Sequence, residues 1–349
     1  MNAKLLLIPV ALMLLSCTKD QNPEQSNRNP IQSNESSTGI SDFIGKDYLV
    51  DDQHSYIGFK IKYFGFSPVR GRFNEFDGTA FYDPENLSAL SVTFFIDVRT
   101  INTGDETRDE DLRREGTWFD AANHPYATFQ SKRTVLFEDG SFNLIGDLSI
   151  KGISKEITVE FEEPTPISRD WAKNEQVDFS GKAVIDRQDF DVFGGSFWSS
   201  VMENGLTQLS DEVELEMDIH IRRADYQARY EDAEEGDTDK VILDLIKSEG
   251  VESGLDAINN FHSREELRAG TLSTVGYTLN AWEMYEEAGL IFKKKEELFG
   301  TSSATLNQQG INFLLQNNID KATQLFKKSI EADSINSRAV EYLKLLNND

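Results

Sequence analysis

Acidic, basic and aromatic side chains crowd into one run of the chain, "TRDEDLRREGTWFDAANHPYATFQS" from Thr107 to Ser131. Carboxylates, arginines and a histidine are the raw material of general acid–base catalysis, but that chemistry needs an acid, a base and a nucleophile converging on one point. The spacing here suits a different use. Thr107 can cap a short helix on which Arg108, Asp109, Glu110, Asp111, Arg113 and Arg114 face water while Leu112 and Trp118 pack inward. "YATFQS" then places Ala127, Phe129 and Ser131 on one side, as a strand does. The run reads as the rim and wall of a container, with Arg108, Arg113 and Trp118 as candidates for contact with a polar head group. Trp198 joins them from "FGGSFWSS", a loop whose Phe193, Phe197 and Trp198 suit the cover of an apolar ligand. Ser196 in that loop lacks the G-x-S-x-G frame of an activated serine, and His54, His124, His220 and His262 show no metal-ligand spacing. No catalytic residue, metal ligand or cofactor loop is assigned, and an envelope enzyme is the weakest of three functional readings.

The elements that must position this rim are strands. From Tyr48 to about Arg222 apolar residues recur at a period of two: Leu90, Val92, Phe94, Ile96 and Val98 in "LSVTFFIDV", and Val213, Leu215, Met217, Ile219 and Ile221 in "VELEMDIHI". About eight such strands joined by turn signals form an antiparallel barrel or sandwich with one wet face. The inward set expected to line a ligand is Phe59, Ile61, Tyr63, Phe73, Phe94, Ile96 and Phe129, continued by Leu144, Val159, Phe179, Ile185, Leu215 and Met217. Alternation alone leaves a hollow barrel and a packed one equally open, so a non-catalytic scaffold with a filled barrel stands as the alternative.

After Arg222 the period changes to a helical one, across an acidic stretch at 223–238 read as a solvated hinge. Residues 239–349 carry an internal repeat: Gly276, Ala288 and Phe292 recur as Gly310, Ala322 and Phe326, each 34 residues later. That offset and residue choice resemble the tetratricopeptide repeat, in which small residues let paired helices approach and an aromatic fills the gap. Gly300 and Ser334 stand where a proline is usual. "VILDLIKSEGVESGLDAINNF" is expected to pack as a degenerate first pair, and the array as a docking surface for a protein partner.

The strand region resembles the YceI-like, polyisoprenoid-binding family through blocks in the family's order: "YLVDDQHSYIGFKIKY", "VRGRFNEFDG", "VRTINTGDETRDEDLRREGTWFDAANHPYATFQS", "GDLSIKGISKEITVEF" and "DFSGKAVIDRQDFDV". Asp52, His54 and Ser55 match the opening motif; Arg108, Asp109, Leu112 and Arg113 match the helical segment; Phe119, Asp120, Pro125 and Phe129 match the block after it. Gly146, Lys151 and Gly152 match a strand end, and Arg187, Asp189 and Phe190 a late R-x-D-F element. Tyr63 replaces a usual histidine and Asp191 a usual glycine, which suggests a lost polar contact at the mouth and a changed turn. The resemblance implies an eight-stranded lipocalin-like barrel at 47–222 whose apolar interior accepts a long isoprenoid chain, without catalytic residues.

The start of the chain supplies an address. Residues 1–16 have a lysine followed by an apolar run too short to span a bilayer, as a secretory signal does. The ending "LLSC" resembles the lipobox of bacterial lipoproteins, implying acylation of Cys17, the only cysteine in the chain. Residues 17–46 are polar and read as a tether. The expectation is a lipid-anchored protein of the bacterial cell envelope, at the outer membrane, with periplasmic and surface faces both open. A formal charge of -26 argues against nucleic acid as a partner, since phosphate binding needs lysine and arginine clusters.

Overall fold

A computed structural model of the chain describes residues 46–348 together with Pro30. The expected leader, the lipidation site Cys17 and nearly all of the 17–46 tether lie outside the described residues.

The strands are β1 (Asp47–Val50), β2 (Tyr56–Tyr63), β3 (Ser67–Phe73), β4 (Phe76–Phe81), β5 (Ser91–Asp97) and β6 (Ile101–Asn102), then β7 (Tyr126–Leu136), β8 (Phe142–Ile150), β9 (Ile153–Phe161), β10 (Ser168–Arg169), β11 (Asn174–Asp186) and β12 (Leu209–Ala224). They occupy eight positions around a closed antiparallel barrel. β1 and β2 both pair with β12, at Leu49↔Arg222 and Met217↔Ile57, so they fill one position interrupted at residues 51–55. β3 and β4 fill the next, pairing with β2 and β1, and β5 and β6 the third. The chain then meanders through β7, β8, β9 and β11 to β12, whose ladder with β11 runs from Asn174↔Ala224 to Asp186↔Glu212 and closes the ring. Closure removes the exposed edges that an open sheet of this size would leave.

Helix α1 (Glu106–Arg113) sits at the mouth. Its cap is Asp105, whose side chain accepts from Arg108 N, and not Thr107 as the spacing suggested. Asp109, expected to face water, is buried and accepts hydrogen bonds from Thr103 N at 2.9 Å and Thr103 Oγ1 at 2.5 Å. A short polar side chain near a helix start is an equally good partner for the strand end beneath it.

Helices α2 (Tyr226–Asp232), α3 (Thr238–Glu249), α4 (Val251–Ser263), α5 (Ala269–Ala281), α6 (Tyr285–Phe299), α7 (Ser303–Leu315), α8 (Ile319–Ala332) and α9 (Ser337–Asn348) follow. α3/α4, α5/α6 and α7/α8 are hairpins related by the 34-residue offset. A Cβ on Gly276 would lie 2.3 Å from the Phe292 ring, and one on Gly310 2.7 Å from Phe326, so close helix approach is what these glycines supply. The first pair solves the same problem in reverse. Ile242 stands in the glycine position, Gly254 in the alanine position and Ile258 in the aromatic position, and all three are buried. Bulk has moved from the second helix to the first, which is why the pair looks degenerate in sequence.

The strands' outer face is not uniformly wet. α9 packs on β4 and β5 as well as on α8. Phe81 points out of the barrel against Tyr342, ring centroids 5.0 Å apart, and Tyr342 stacks on Phe326 at 4.9 Å. Around this contact Thr79 and Ser337 share a hydrogen bond of 2.8 Å, and the buried Glu341 accepts from Ser91 and Thr93, each at 2.5 Å, and pairs with Lys344 at 2.8 Å. Asp47 pairs with Arg338 and accepts from Tyr342 Oη at 3.1 Å. A buried carboxylate is tolerable only with such a set of partners. Burial, with Asp47 adding to it, raises the pKa of the Tyr342 phenol well above its ordinary value.

The 223–238 stretch also departs from expectation. It is not a loose hinge: Tyr226 of α2 stacks on Tyr277 at 4.9 Å, Tyr230 meets Trp282 edge-on at 4.8 Å, and Arg229 donates to Ala172 O at 3.0 Å and Asn174 Oδ1 at 2.7 Å. Its acids Glu231, Asp232, Glu234, Glu235 and Asp237 are exposed, as a solvated stretch requires.

Candidate ligand-binding site

Alternation puts one apolar face of every strand inside the ring, and the ring is wider than those side chains fill. Two adjoining chambers remain. The deep one, about 130 Å³, is lined by apolar side chains and the backbone of Gly58. The outer one, about 450 Å³, opens at the mouth and adds polar groups. Phe73, Phe119, Ile150, Ile185 and Leu215 face both, so the two chambers abut along these side chains.

Phe94, Ile96, Phe129, Leu144 and Val159 lie on the deep chamber, with Phe179 and Met217. Phe59, Ile61 and Tyr63 lie on the outer one, and Phe73, Ile185 and Leu215 on both. Tyr63 meets Phe64 edge-on at 4.2 Å and Trp198 at 6.2 Å, so this position contributes aromatic wall at the mouth. At the far end aromatics close the barrel: Phe142 stacks on Phe161 at 5.0 Å and Phe179 meets Tyr82 at 5.4 Å. Behind them Tyr48 donates to Glu175 at 3.0 Å, and burial pushes its phenol up to about 12.

The wall of the outer chamber beside β3 is α1 and the loop after it, because β6 pairs with β3 only at Arg72 and Phe73. Leu112, Trp118 and Phe119 fill that side. Arg108 lines it too; its Nε donates to Thr103 Oγ1 at 2.7 Å and its Nη2 to Thr103 O at 3.0 Å, while Nη1 makes no hydrogen bond among the described residues. A guanidinium is thereby held at the mouth with N–H donors to spare. Trp118 and Trp198 stand beside it, ring centroids 5.8 Å apart. Arg113, expected on this rim, lies on neither chamber: it pairs with Glu106 at 2.8 Å on the outer side of α1. A helix of this length cannot turn residues five apart toward the same point.

Arg187 is the residue whose importance the pattern understated. Only 2% exposed, it donates to Ser210 O at 2.9 Å, Val192 O at 2.9 Å and Asp211 Oδ1 at 2.8 Å, with its guanidinium 5.9 Å from the Trp118 ring. Burial lowers its pKa, with Asp211 opposing. Its donors tie the loop after β11 to the start of β12, so it holds the mouth in shape. Gly194 of that loop has φ +67° and any Cβ there would lie 2.1 Å from Trp118. The turn at Asp191 keeps a left-handed backbone, φ 53°, which glycine adopts without cost. Lys151 holds it, donating to Asp191 O at 2.6 Å and Oδ2 at 2.9 Å.

The histidines do other work. His54 bonds Asp51 at 3.0 Å, and His220 bonds Asp178 at 2.8 Å on the outer face. Burial would raise Asp51, yet His54 and Arg222 hold its carboxyl below the usual range. Ser196 is exposed in its loop, and among the described residues no group of three or more His, Cys, Asp or Glu could hold a metal ion.

A family model described as "YceI-like domain" matches residues 48–221. A UPF0312 protein of Vibrio cholerae is 32% identical over 148 residues, spanning 42% of this chain and 77% of that relative. The chain belongs to the YceI-like family. A UPF0312 protein of Pseudomonas paraeruginosa is 32% identical over 151 residues, 43% of this chain and 78% of the relative. Among solved structures, Burkholderia cenocepacia BcnA matches 49% of this chain and 98% of its own at 25% identity and a TM-score of 0.41. A polyisoprenoid binding domain from Saccharophagus degradans, implicated in plant cell wall breakdown, matches 50% and 98% at 16% identity and a TM-score of 0.36. The matched region of this YceI-like chain ends with β12, so the helical array lies beyond it.

Proposed function

We propose that this YceI-like barrel carries a long isoprenoid lipid, its chain running through both chambers and its polar end at the mouth beside Arg108, Trp118 and Trp198. The observation that carries the reading is the pair of adjoining chambers, mainly apolar, that reach from the mouth to the Phe142–Phe161 floor. Each buried methylene contributes roughly 0.8 kcal/mol, so about ten carbons give roughly 8 kcal/mol before ordering costs. Arg108 Nη1 suits a phosphate or a quinone oxygen equally. Acylated Cys17 would hold the carrier on the bacterial outer membrane by its tether.

The helical array braces the barrel. Its last helix, α9, is spent on the β4–β5 wall, which stiffens one side of the container while leaving the mouth open. Mass spectrometry of organic extracts from the chain beginning at residue 18, purified without detergent beside an unrelated protein from the same host, tests the proposal. A stoichiometric isoprenoid is the expected result. A clean extract, with the protein still unable to take up added isoprenoid, sinks the carrier reading in favour of a scaffold.

A further inference from the structure

The mouth has two unlike arcs. One is α1 with its charged side chains. The other is made of the β2–β3 turn and the loop between β11 and β12, tied together by Phe64 N donating to Gln208 O at 2.7 Å. In a chain that is 28% charged, residues 63–68 carry no charge and residues 192–210 carry only Glu203. From these loops Phe66 (77% exposed), Phe197 (57%), Val201 (68%) and Leu206 (47%) project into solvent. Val201 and Leu206 are held out by a small hairpin in which Val201 bridges to Thr207 and Met202 N donates to Leu206 O at 2.8 Å. Phe197 leans on Trp198 at 5.1 Å, and Trp198 lines the outer chamber, so the apolar lip is continuous with the cavity wall.

We propose that this lip is a membrane-docking surface that dips into the acyl layer of a bilayer, so that cargo passes between membrane and cavity without crossing water. The inference rests on the lipid-carrier reading. Their placement selects the partner: the four side chains project from a turn and a hairpin loop and line neither chamber, so they fit a deformable apolar medium better than a peptide segment seated in a groove. Apolar side chains at a membrane interface are buried at the boundary between head groups and acyl chains, as the apolar face of an interfacial helix is. The neighbouring charged arc of α1 then lies at head-group level, with Arg108 behind the lip.

Quenching in vesicles tests this. The full chain carrying Cys17→Ser takes a single spin-sensitive fluorophore at Ser67→Cys, beside Phe66, or at Lys328→Cys, exposed on α8. Both are mixed with vesicles of phosphatidylethanolamine and phosphatidylglycerol containing a doxyl-labelled acyl chain. Quenching at position 67 should exceed that at 328 several-fold, and the double change Phe66→Ser, Val201→Ser should bring it down to the level at 328. Equal quenching at the two positions overturns the proposal. So does self-quenching between position-67 labels in solution without lipid quenching, which would make the lip a contact with a second copy. Isoprenoid in organic extracts is measured in parallel: quenching retained in a protein that holds no isoprenoid supports the membrane contact and sinks the carrier reading alone.

Discussion

Ala127 offers a direct measure of how hollow the barrel is. It lies on β7 with its side chain on the deep chamber. Ala127→Leu adds three carbons to a space of about 130 Å³. Filling a void with them contributes about 2.4 kcal/mol, reduced to about 1.5 kcal/mol by the leucine's lost rotamer freedom. The lipid-free protein should therefore melt about 3–6 °C higher. In the loaded protein the same carbons occupy the ligand's path, so the lipid loses a comparable about 2.4 kcal/mol and binds roughly 50-fold more weakly. The two readouts move in opposite directions, which a simple packing defect cannot do. Differential scanning calorimetry of delipidated protein gives the first, and titration with a short-chain isoprenoid gives the second. A fall in the melting temperature of lipid-free Ala127→Leu, by an amount matching the about 1–3 kcal/mol of overpacking, would refute the hollow barrel.

Three further perturbations probe the surrounding frame. Phe81→Ala leaves Tyr342 facing a void and should cost about 3–5 kcal/mol; limited proteolysis should then separate barrel from helices, whereas an unchanged digestion pattern argues that α9 is not held there. Gly276→Val drives a side chain into the Phe292 ring and should cost about 1–3 kcal/mol in chemical denaturation, with the α5/α6 hairpin losing hydrogen-exchange protection first. Glu175 gives a pH dependence: burial raises its carboxyl, but the hydrogen bond and charge of Arg223 outweigh that and hold it below the usual value. A depressed carboxylate contributes fully above the unfolded value of about 4.3 and loses its contribution as pH falls through the folded one. Glu175→Gln should accordingly flatten the acid limb of the stability curve below that pH and leave its slope near neutrality unchanged.

The inward face of each strand was legible because side-chain direction alternates whatever the neighbours do. Val213, Leu215, Met217, Ile219 and Ile221 all line the cavity, and Glu214 and His220 turn outward to Lys60 and Asp178. The 34-residue offset was legible for a similar reason: Gly276 and Phe292 are neighbours within one hairpin, so their sizes must match locally. The Ile242–Gly254–Ile258 set conserves volume with the residues exchanged, which a search for like residues at like positions does not register.

What tertiary structure alone decided is every quantity set by distance between remote segments. Whether thirteen inward side chains fill a ring or leave a cavity depends on its radius, which strand stagger sets and alternation does not. Arg187 matches a family element in the sequence, but its acceptors, Val192 in the loop after β11 and Ser210 and Asp211 in β12, are brought to it only by the fold. Phe81 and Thr93 look like outward residues of a wet face, and only the approach of α9, some 250 residues on, makes that face dry. Residue type and local period determined which side of each strand and helix would be apolar; the path of the chain determined what each apolar side would meet, because burial is a property of pairs of surfaces.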